Sequence, residues 1–531
     1  MLANGRVVDG SGAPWFRADL GIRGDRITAV GDLSRSTAAR RIDVQNRMVA
    51  PGFIDLLGQS QLYVLIDNRV ESKIRQGITT EITGEGTSVA PVSEVALSQM
   101  KPFLERFRLK IDWKDLNGYT RRFETTGGAI NLGTFVGAAQ VRIAVLGLDD
   151  VQPSAAQLAE MEKLVEVAMK QGARGLSTAL IYPPGSYAKT PELIALAKVA
   201  AKYGGVYASH IRGEADNEME AIEEALTIGR EARIPVEIWH LKVAGRNNWG
   251  KMKQLVERIE RARSEGIDIA ANMYPYHAAH NGLSANVPDW AHAGGLDAMI
   301  ARFKDPALRE KIKSELWHGG VGTEAPDGIL LVSCVNPGLK KYMGKRLSAV
   351  AKEMGRSPED ALLDLIELAH TRIDVVRFVM SEDDVQLGLK QPWISLGVDD
   401  PGHAVDGPFA GQGGHPRGFG SAPRLLGHYA RDLHLFSVEE AVRKMTSQPA
   451  QRMSLYDRGL LRPGMAADVT VFDPATVRDV ATYEDPVRYA EGIEYVIVNG
   501  RVVLDAGKMT PERPGRILKH RAPKELWSPS R

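Results

Sequence analysis

Between Met48 and about Gln451 short apolar runs recur, each followed by a loop and then by a longer stretch whose apolar residues return every three or four positions. Runs of four or five residues bounded by turn formers predict β-strands, and the 3.6-periodic stretches predict amphipathic helices. The runs are Gly52-Phe53-Ile54-Asp55, Thr79-Thr80-Glu81-Ile82-Thr83, Ala129-Ile130-Asn131-Leu132, Gly175-Leu176-Ser177-Thr178, Val206-Tyr207-Ala208, Val236-Glu237-Ile238-Trp239, Ile267-Asp268-Ile269-Ala270-Ala271 and Trp393-Ile394-Ser395-Leu396-Gly397. Eight such strands alternating with helices close a parallel barrel, so the pattern predicts an α/β chain built on a (β/α)8 barrel. Met219, Ile222, Leu226 and Gly229 define one helical face, and Met252, Leu255, Val256 and Ile259 another. Thr190 followed by Pro191 reads as an N-cap and first-turn pair.

The two ends of the chain follow a different rhythm. Arg6-Val7-Val8-Asp9-Gly10, Asp25 to Gly31, Ala467 to Phe472 and Tyr495 to Val503 are β-rich segments separated by turns, with Asn499-Gly500 as a hairpin turn. They predict one small composite β-sandwich from residues 1–50 and 455–531, flanking a barrel domain over 51–454. Because the chain opens almost directly on Asn4-Gly5-Arg6, the first strand is expected to be short or missing. From about 281 to 373 the repeat is interrupted, and Gly328 to Ser333 adds a β-like run of its own. This stretch reads as an insertion near the barrel mouth.

Composition narrows the partners. The 531 residues are 44% apolar and carry 67 basic against 66 acidic side chains. That is enough to bury a large core, and it provides no basic footprint for nucleic acid or an anionic membrane. The single cysteine, Cys334, excludes an intramolecular disulfide and a Cys-rich zinc module. No run is long enough to span a bilayer and no export signal stands at the start. A cytoplasmic protein acting on a small molecule is expected, with a homo-oligomeric state left open.

Two histidines then stand out. His210, in Tyr207-Ala208-Ser209-His210-Ile211-Arg212, and His240, in Ile238-Trp239-His240-Leu241-Lys242, end successive strands of the repeat. One histidine at a strand end often only caps a loop carbonyl, but two in register emerge at the sheet edge where barrel chemistry sits and read as half of a metal site. The last strand ends in Gly397-Val398-Asp399-Asp400, so it offers a carboxylate to the same opening. Asp399, chosen over Asp400, is placed to accept a proton from an attacking water and return it to a leaving nitrogen.

At the level of motifs the chain resembles the amidohydrolase superfamily and, within it, the N-acyl-D-amino-acid deacylase (D-aminoacylase) family. The matching segments are Val49-Ala50-Pro51-Gly52-Phe53-Ile54-Asp55, Gln76-Gly77-Ile78-Thr79-Thr80, Tyr207 to Arg212, His240-Leu241-Lys242, Tyr274-Pro275-Tyr276, His415-Pro416-Arg417 and Gly464 to Val469. The resemblance implies the barrel, the composite sandwich and zinc-dependent hydrolysis of the amide of N-acyl amino acids, with the D hand inherited from the family. It also exposes a departure. After Phe53-Ile54-Asp55 the family pattern calls for His-x-His, and this chain has Leu57-Gly58-Gln59. Where the family carries a metal-bridging cysteine after the second strand, the chain reads Thr83-Gly84-Glu85-Gly86-Thr87, and Glu85 can take that place because a carboxylate oxygen also binds zinc.

The resemblance therefore implies Glu85, His210 and His240 as ligands of close to one Zn2+ per chain, with Asp399 moving the proton. For substrate binding it points to Lys242 and Tyr182, followed by Tyr187, Arg377 and Arg417. Lys189, a candidate for carbamylation, loses its purpose without the first histidine pair. Two rivals remain on the sequence: a cyclic-amide hydrolase of the dihydroorotase or hydantoinase type, which usually retains His-x-His, and a metal-free, non-catalytic binding protein.

Overall fold

Strands appear where the period-two and apolar runs lie, with ends shifted by at most four residues. The computed structural model describes residues 1–317 and 326–521. The interior of the chain forms a mixed α/β fold. Phe53–Asp55, Ile78–Thr83 and Asn131–Thr134 make one parallel sheet. Val136–Gly137, Gly175–Ala179, Val206–His210, Val236–Ile238, Ile269–Met273 and Ile394–Leu396 make a second, all parallel in that order. Backbone hydrogen bonds join the two sheets on both sides, from Leu56 N to the Leu396 carbonyl (3.0 Å) and from Arg174 N to the Thr134 carbonyl (2.8 Å).

Helices between these strands bury the faces their periodicity marks. In Glu218–Ala232 the side chains of Ile222 and Leu226 are fully buried, and in Met252–Ser264 those of Met252 and Ile259 are. Each wholly buried Leu or Ile contributes roughly 1.5–3 kcal/mol relative to exposure. These faces therefore pin the helices, and with them the strand ends, far more firmly than helix propensity does. The Thr190 expectation shifts by one residue. The helix Thr190–Ala201 has Lys189 at its N-cap, and the Thr190 hydroxyl donates to Glu224 Oε1 at 2.8 Å instead of capping.

Both ends of the chain meet in one nine-stranded sheet. Met48–Pro51 lies parallel to Leu2–Val7 on one side and antiparallel to Val469–Phe472 on the other, which joins the chain's beginning to its end. The first strand is neither short nor missing. It runs Leu2–Val7, and Leu2, Val7, Leu20, Val49, Val471 and Ile497 share a core of their own.

The interruption of the repeat is a third packed unit. Ala279–Gly282, Ile373–Arg377 and Ile329–Cys334 pair antiparallel, and the helices Leu296–Lys304 and Pro358–Ala369 pack nearby around Leu283, Phe303, Leu331, Leu363 and Val375. No described helix is long and apolar enough to cross a membrane.

Candidate metal centre

The strand register sets the site. His210 is the last residue of Val206–His210 and pairs with Ala179, while Ser209 pairs with Ile238, so His240 lies two residues past the end of the neighbouring strand. At His240 the backbone turns left-handed (φ 36°), and its N–H donates to Asn272 Oδ1 at 2.9 Å. Glu85 follows Ile78–Thr83 between Gly84 and Gly86, both at positive φ. A Cβ at Gly86 would come within 2.6 Å of Ala179 Cβ, so only glycine lets this loop approach the end of Gly175–Ala179.

The three side chains converge. Glu85 Oε1 lies 2.8 Å from His210 Nδ1 and 3.2 Å from His240 Nε2, and the two ring nitrogens are 2.9 Å apart. A tetrahedral zinc with bonds of ~2.0–2.1 Å separates its ligand atoms by about 3.3 Å. Two imidazole nitrogens and one carboxylate oxygen at these separations therefore fit such an ion, and they form the candidate metal-binding group among the described residues. The fit also passes a chemical test, since two imidazoles and a carboxylate suit zinc and leave a position open.

Behind the rings stands Glu214. Its Oε1 is 3.3 Å from His210 Nε2 and 3.2 Å from His240 Nδ1, and it is ion-paired with Lys242. A carboxylate behind a ligating histidine takes the far N–H and turns the lone pair of the near nitrogen toward the ion. Lys242 Nζ is also 2.7 Å from His240 Nδ1. Burial pushes both acids up, but it is outweighed: the His210 and His240 hydrogen bonds hold Glu85 well below the usual carboxylate range, and Lys242 and the imidazoles do the same for Glu214. His240 moves the other way. Burial and Lys242 lower it, yet Glu214 and Glu85 raise it to about 9.

On the other side of the pocket lies Asp399, in a left-handed turn (φ 53°) whose N–H donates to the Leu57 carbonyl at 2.7 Å. Asp55 ties the same two segments together, accepting the N–H groups of Leu57 (3.0 Å) and Val398 (2.8 Å), and is itself paired with the wholly buried Lys73 at 2.7 Å. Gln59 Nε2 donates to Asp399 Oδ1 (3.2 Å) and to Glu85 Oε2 (2.6 Å). The second Asp399 oxygen meets Arg417 Nη2 at 2.8 Å. Asp400 is paired instead with His280 (3.6 Å) and Arg417 Nε (3.7 Å). Arg417 is 2% exposed, lies 4.5 Å over the Tyr274 ring, and buries Nε and Nη1 without a hydrogen-bond acceptor.

The structure thus gathers Glu85, His210, His240, Lys242 and Asp399 around one pocket. Tyr182 borders it, its ring edge-on to His210 at 5.1 Å. Beyond Tyr182 opens a cavity of about 220 Å³ lined by Pro183, Val287, Leu296, Ile366 and Arg372 among others. Tyr187 donates its hydroxyl to the Asp289 carbonyl at 2.9 Å, and Arg377 donates to Asn281 Oδ1 (2.6 Å) and the Gly282 carbonyl (3.3 Å). Lys189 is exposed at the start of its helix.

Sequence reasoning missed Glu214 altogether and placed Arg417 among the weaker substrate-binding candidates. Glu214 had a signal, its place four residues after His210; Arg417 had only its motif, and its buried, unsatisfied nitrogens are visible in three dimensions alone.

The chain is similar to known proteins over most of its length. Residues 40–504 match the model of the amidohydrolase family. A D-aminoacylase of Alcaligenes xylosoxydans xylosoxydans is 36% identical over 98% of both chains. A D-aminoacylase structure addressing one-metal activation and second-metal attenuation of a binuclear centre superposes with a TM-score of 0.82, at 34% identity over 98% of this chain and 99% of that one. An N-acyl-D-glutamate deacylase from Bordetella bronchiseptica, complexed with zinc and a phosphonate mimic of the tetrahedral intermediate, also gives 0.82, at 32% identity over 98% of each chain. With a family model spanning most of its length and such relatives covering nearly all of it, the chain belongs to the amidohydrolase family.

Proposed function

We propose that this protein is a zinc-dependent deacylase that hydrolyses the amide of N-acyl-D-amino acids, using one metal ion per chain. The observation that carries the reading is the convergence of Glu85 Oε1, His210 Nδ1 and His240 Nε2 within 3.2 Å of one another, with Asp399 held across the pocket by Gln59. The D hand rests on the likeness to D-aminoacylase. In this reading the parallel strands form a (β/α)8 barrel over 51–454, residues 1–50 and 455–531 make the composite β-domain, and the unit over about 281–373 is inserted at the mouth. The two inter-sheet hydrogen bonds at Leu56 and Arg174 support closure.

A zinc ion, when bound, supplies Lewis acidity, lowering the pKa of water and polarising the scissile carbonyl. The chain's own residues do the rest. Glu85, His210 and His240 would hold the ion, and Glu214 places its carboxylate behind both rings. Arg417 Nη1, buried and without an acceptor, offers a hydrogen to the substrate carboxylate, and Lys242 adds positive charge to the same wall. Binding there draws Arg417 away from Asp399. The released carboxylate takes the proton of the attacking water and delivers it to the departing amine nitrogen. Tyr182 walls the amide beside His210, and the 220 Å³ cavity behind it accepts the acyl group or side chain. Tyr187 and Arg377, bonded to the Asp289 carbonyl and to Asn281, shape the adjoining loops that face that substrate.

The test is a panel of N-acetyl and long-chain N-acyl derivatives of both amino-acid enantiomers, read by release of free amine. Turnover confined to D derivatives and abolished by chelation is expected; ring opening of hydantoins or dihydropyrimidines without linear-amide cleavage overturns the reading.

A further inference from the structure

Gln59 stands where the family pattern has the second histidine of His-x-His, and its amide touches both acids of the pocket. We propose that Gln59 is a positioning residue that does the work of a second cation: it holds Asp399 beside the metal ligands and closes the adjacent place to another ion. The inference rests on Glu85, His210 and His240 being the metal ligands.

The direction of each hydrogen bond carries the argument. An amide nitrogen has two hydrogens and no lone pair to offer a metal. Gln59 Nε2 directs them at Glu85 Oε2 (2.6 Å) and Asp399 Oδ1 (3.2 Å), a pairing that also orients the amide, since its carbonyl oxygen would repel both acids. Glu85 is thereby divided: Oε1 faces the imidazoles, while Oε2, the oxygen a bridging carboxylate would give a second ion, already accepts a hydrogen bond. Asp399 Oδ2 is likewise engaged, by Arg417 at 2.8 Å. The other histidine position, Leu57, is wholly buried among Ile54, Ile82, Phe135 and Trp239 and presents only carbon. Gly58 between them keeps the segment tight, because a Cβ there would fall 1.9 Å from the Glu81 side chain. On this side of the pocket N–H groups and a guanidinium occupy the directions from which a cation would need lone pairs.

Zinc content of the purified protein, equilibrated with excess zinc and freed of unbound ion, decides the matter, with thermal melts confirming that each variant folds. The wild type is expected to hold one ion per chain. Gln59→Glu, which replaces the amide hydrogens by lone pairs at constant shape, is expected to hold two. Gln59→Met keeps the volume and removes the donor; it should hold one ion while kcat falls on the order of 100-fold with KM within about twofold. Two ions in the wild type, one in Gln59→Glu, or an unchanged kcat in Gln59→Met overturns the proposal. If the wild type cleaves no N-acyl amino acid, the deacylase reading fails while the zinc count still judges Gln59; a wild type that holds no zinc defeats both.

Discussion

The two sides of the pocket are built from equivalent strand ends and end in opposite chemistry. On one side Glu85, His210 and His240 turn lone pairs toward a common point, backed by Glu214 and Lys242. On the other, Gln59 and Arg417 turn amide hydrogens and a guanidinium toward Asp399. The contrast teaches that a strand end is a position and not yet a ligand. Whether a cation is welcome depends on which sense of hydrogen bond the neighbours have already taken up.

The most severe break comes from the lone-pair side. His240→Ala removes one of three donors and leaves Glu85 facing a single imidazole, so zinc content should drop below one half per chain, with activity lost in parallel. Full zinc occupancy in that variant would show the ion to lie elsewhere. Asp399→Asn probes the other side: zinc stays at wild-type level while kcat falls about 10²–10⁴-fold, the range of a general acid–base group. Appreciable turnover in a zinc-replete sample would remove Asp399 from the mechanism. Glu214→Gln leaves all three donors in place but frees both rings from their carboxylate; zinc affinity measured by competition with a chelator should weaken about 10–100-fold, whereas wild-type affinity would reduce Glu214 to a packing role.

The smallest effect contrasts Glu85 with another buried acid close in sequence to His240. Glu237 lies in Val236–Ile238, is wholly buried, and burial raises its carboxyl to about 7 despite Arg452 at 3.0 Å. Its folded value lies above its unfolded value, so the stabilisation is complete below the ordinary carboxylate range and is lost as pH rises through about 7. Glu237→Gln should therefore gain on the wild type by roughly 2 °C in melting temperature between pH 5 and pH 8. Parallel melting curves across that window would mean that Glu237 stays paired and charged throughout.

Most of the architecture was legible in the order of residues. Strand and helix periodicity are local properties, so the alternating units, the buried faces of Glu218–Ala232 and Met252–Ser264, and the hairpin at Asn499-Gly500 all stand where the pattern puts them. Errors fell at boundaries. The first strand forms because Leu2 and Val7 gain partners in Phe16–Arg23 and Met48–Pro51, pairings that a terminal segment does not announce. Thr190 reads as a cap until Glu224, 34 residues on, claims its hydroxyl.

For the site, residue type and strand-end placement singled out His210, His240 and Asp399, the family resemblance added Glu85, and the structure brings the four side chains to one pocket. What they do to one another was decided by the fold. Gln59 meets Glu85 across 26 residues and Asp399 across 340, and Glu214 reaches His240 only because a parallel pairing brings the two loops together. The direction of a hydrogen bond, and so the choice between ligand and filler, depends on neighbours that chain order cannot supply, because donors and acceptors are matched through space and not along the backbone.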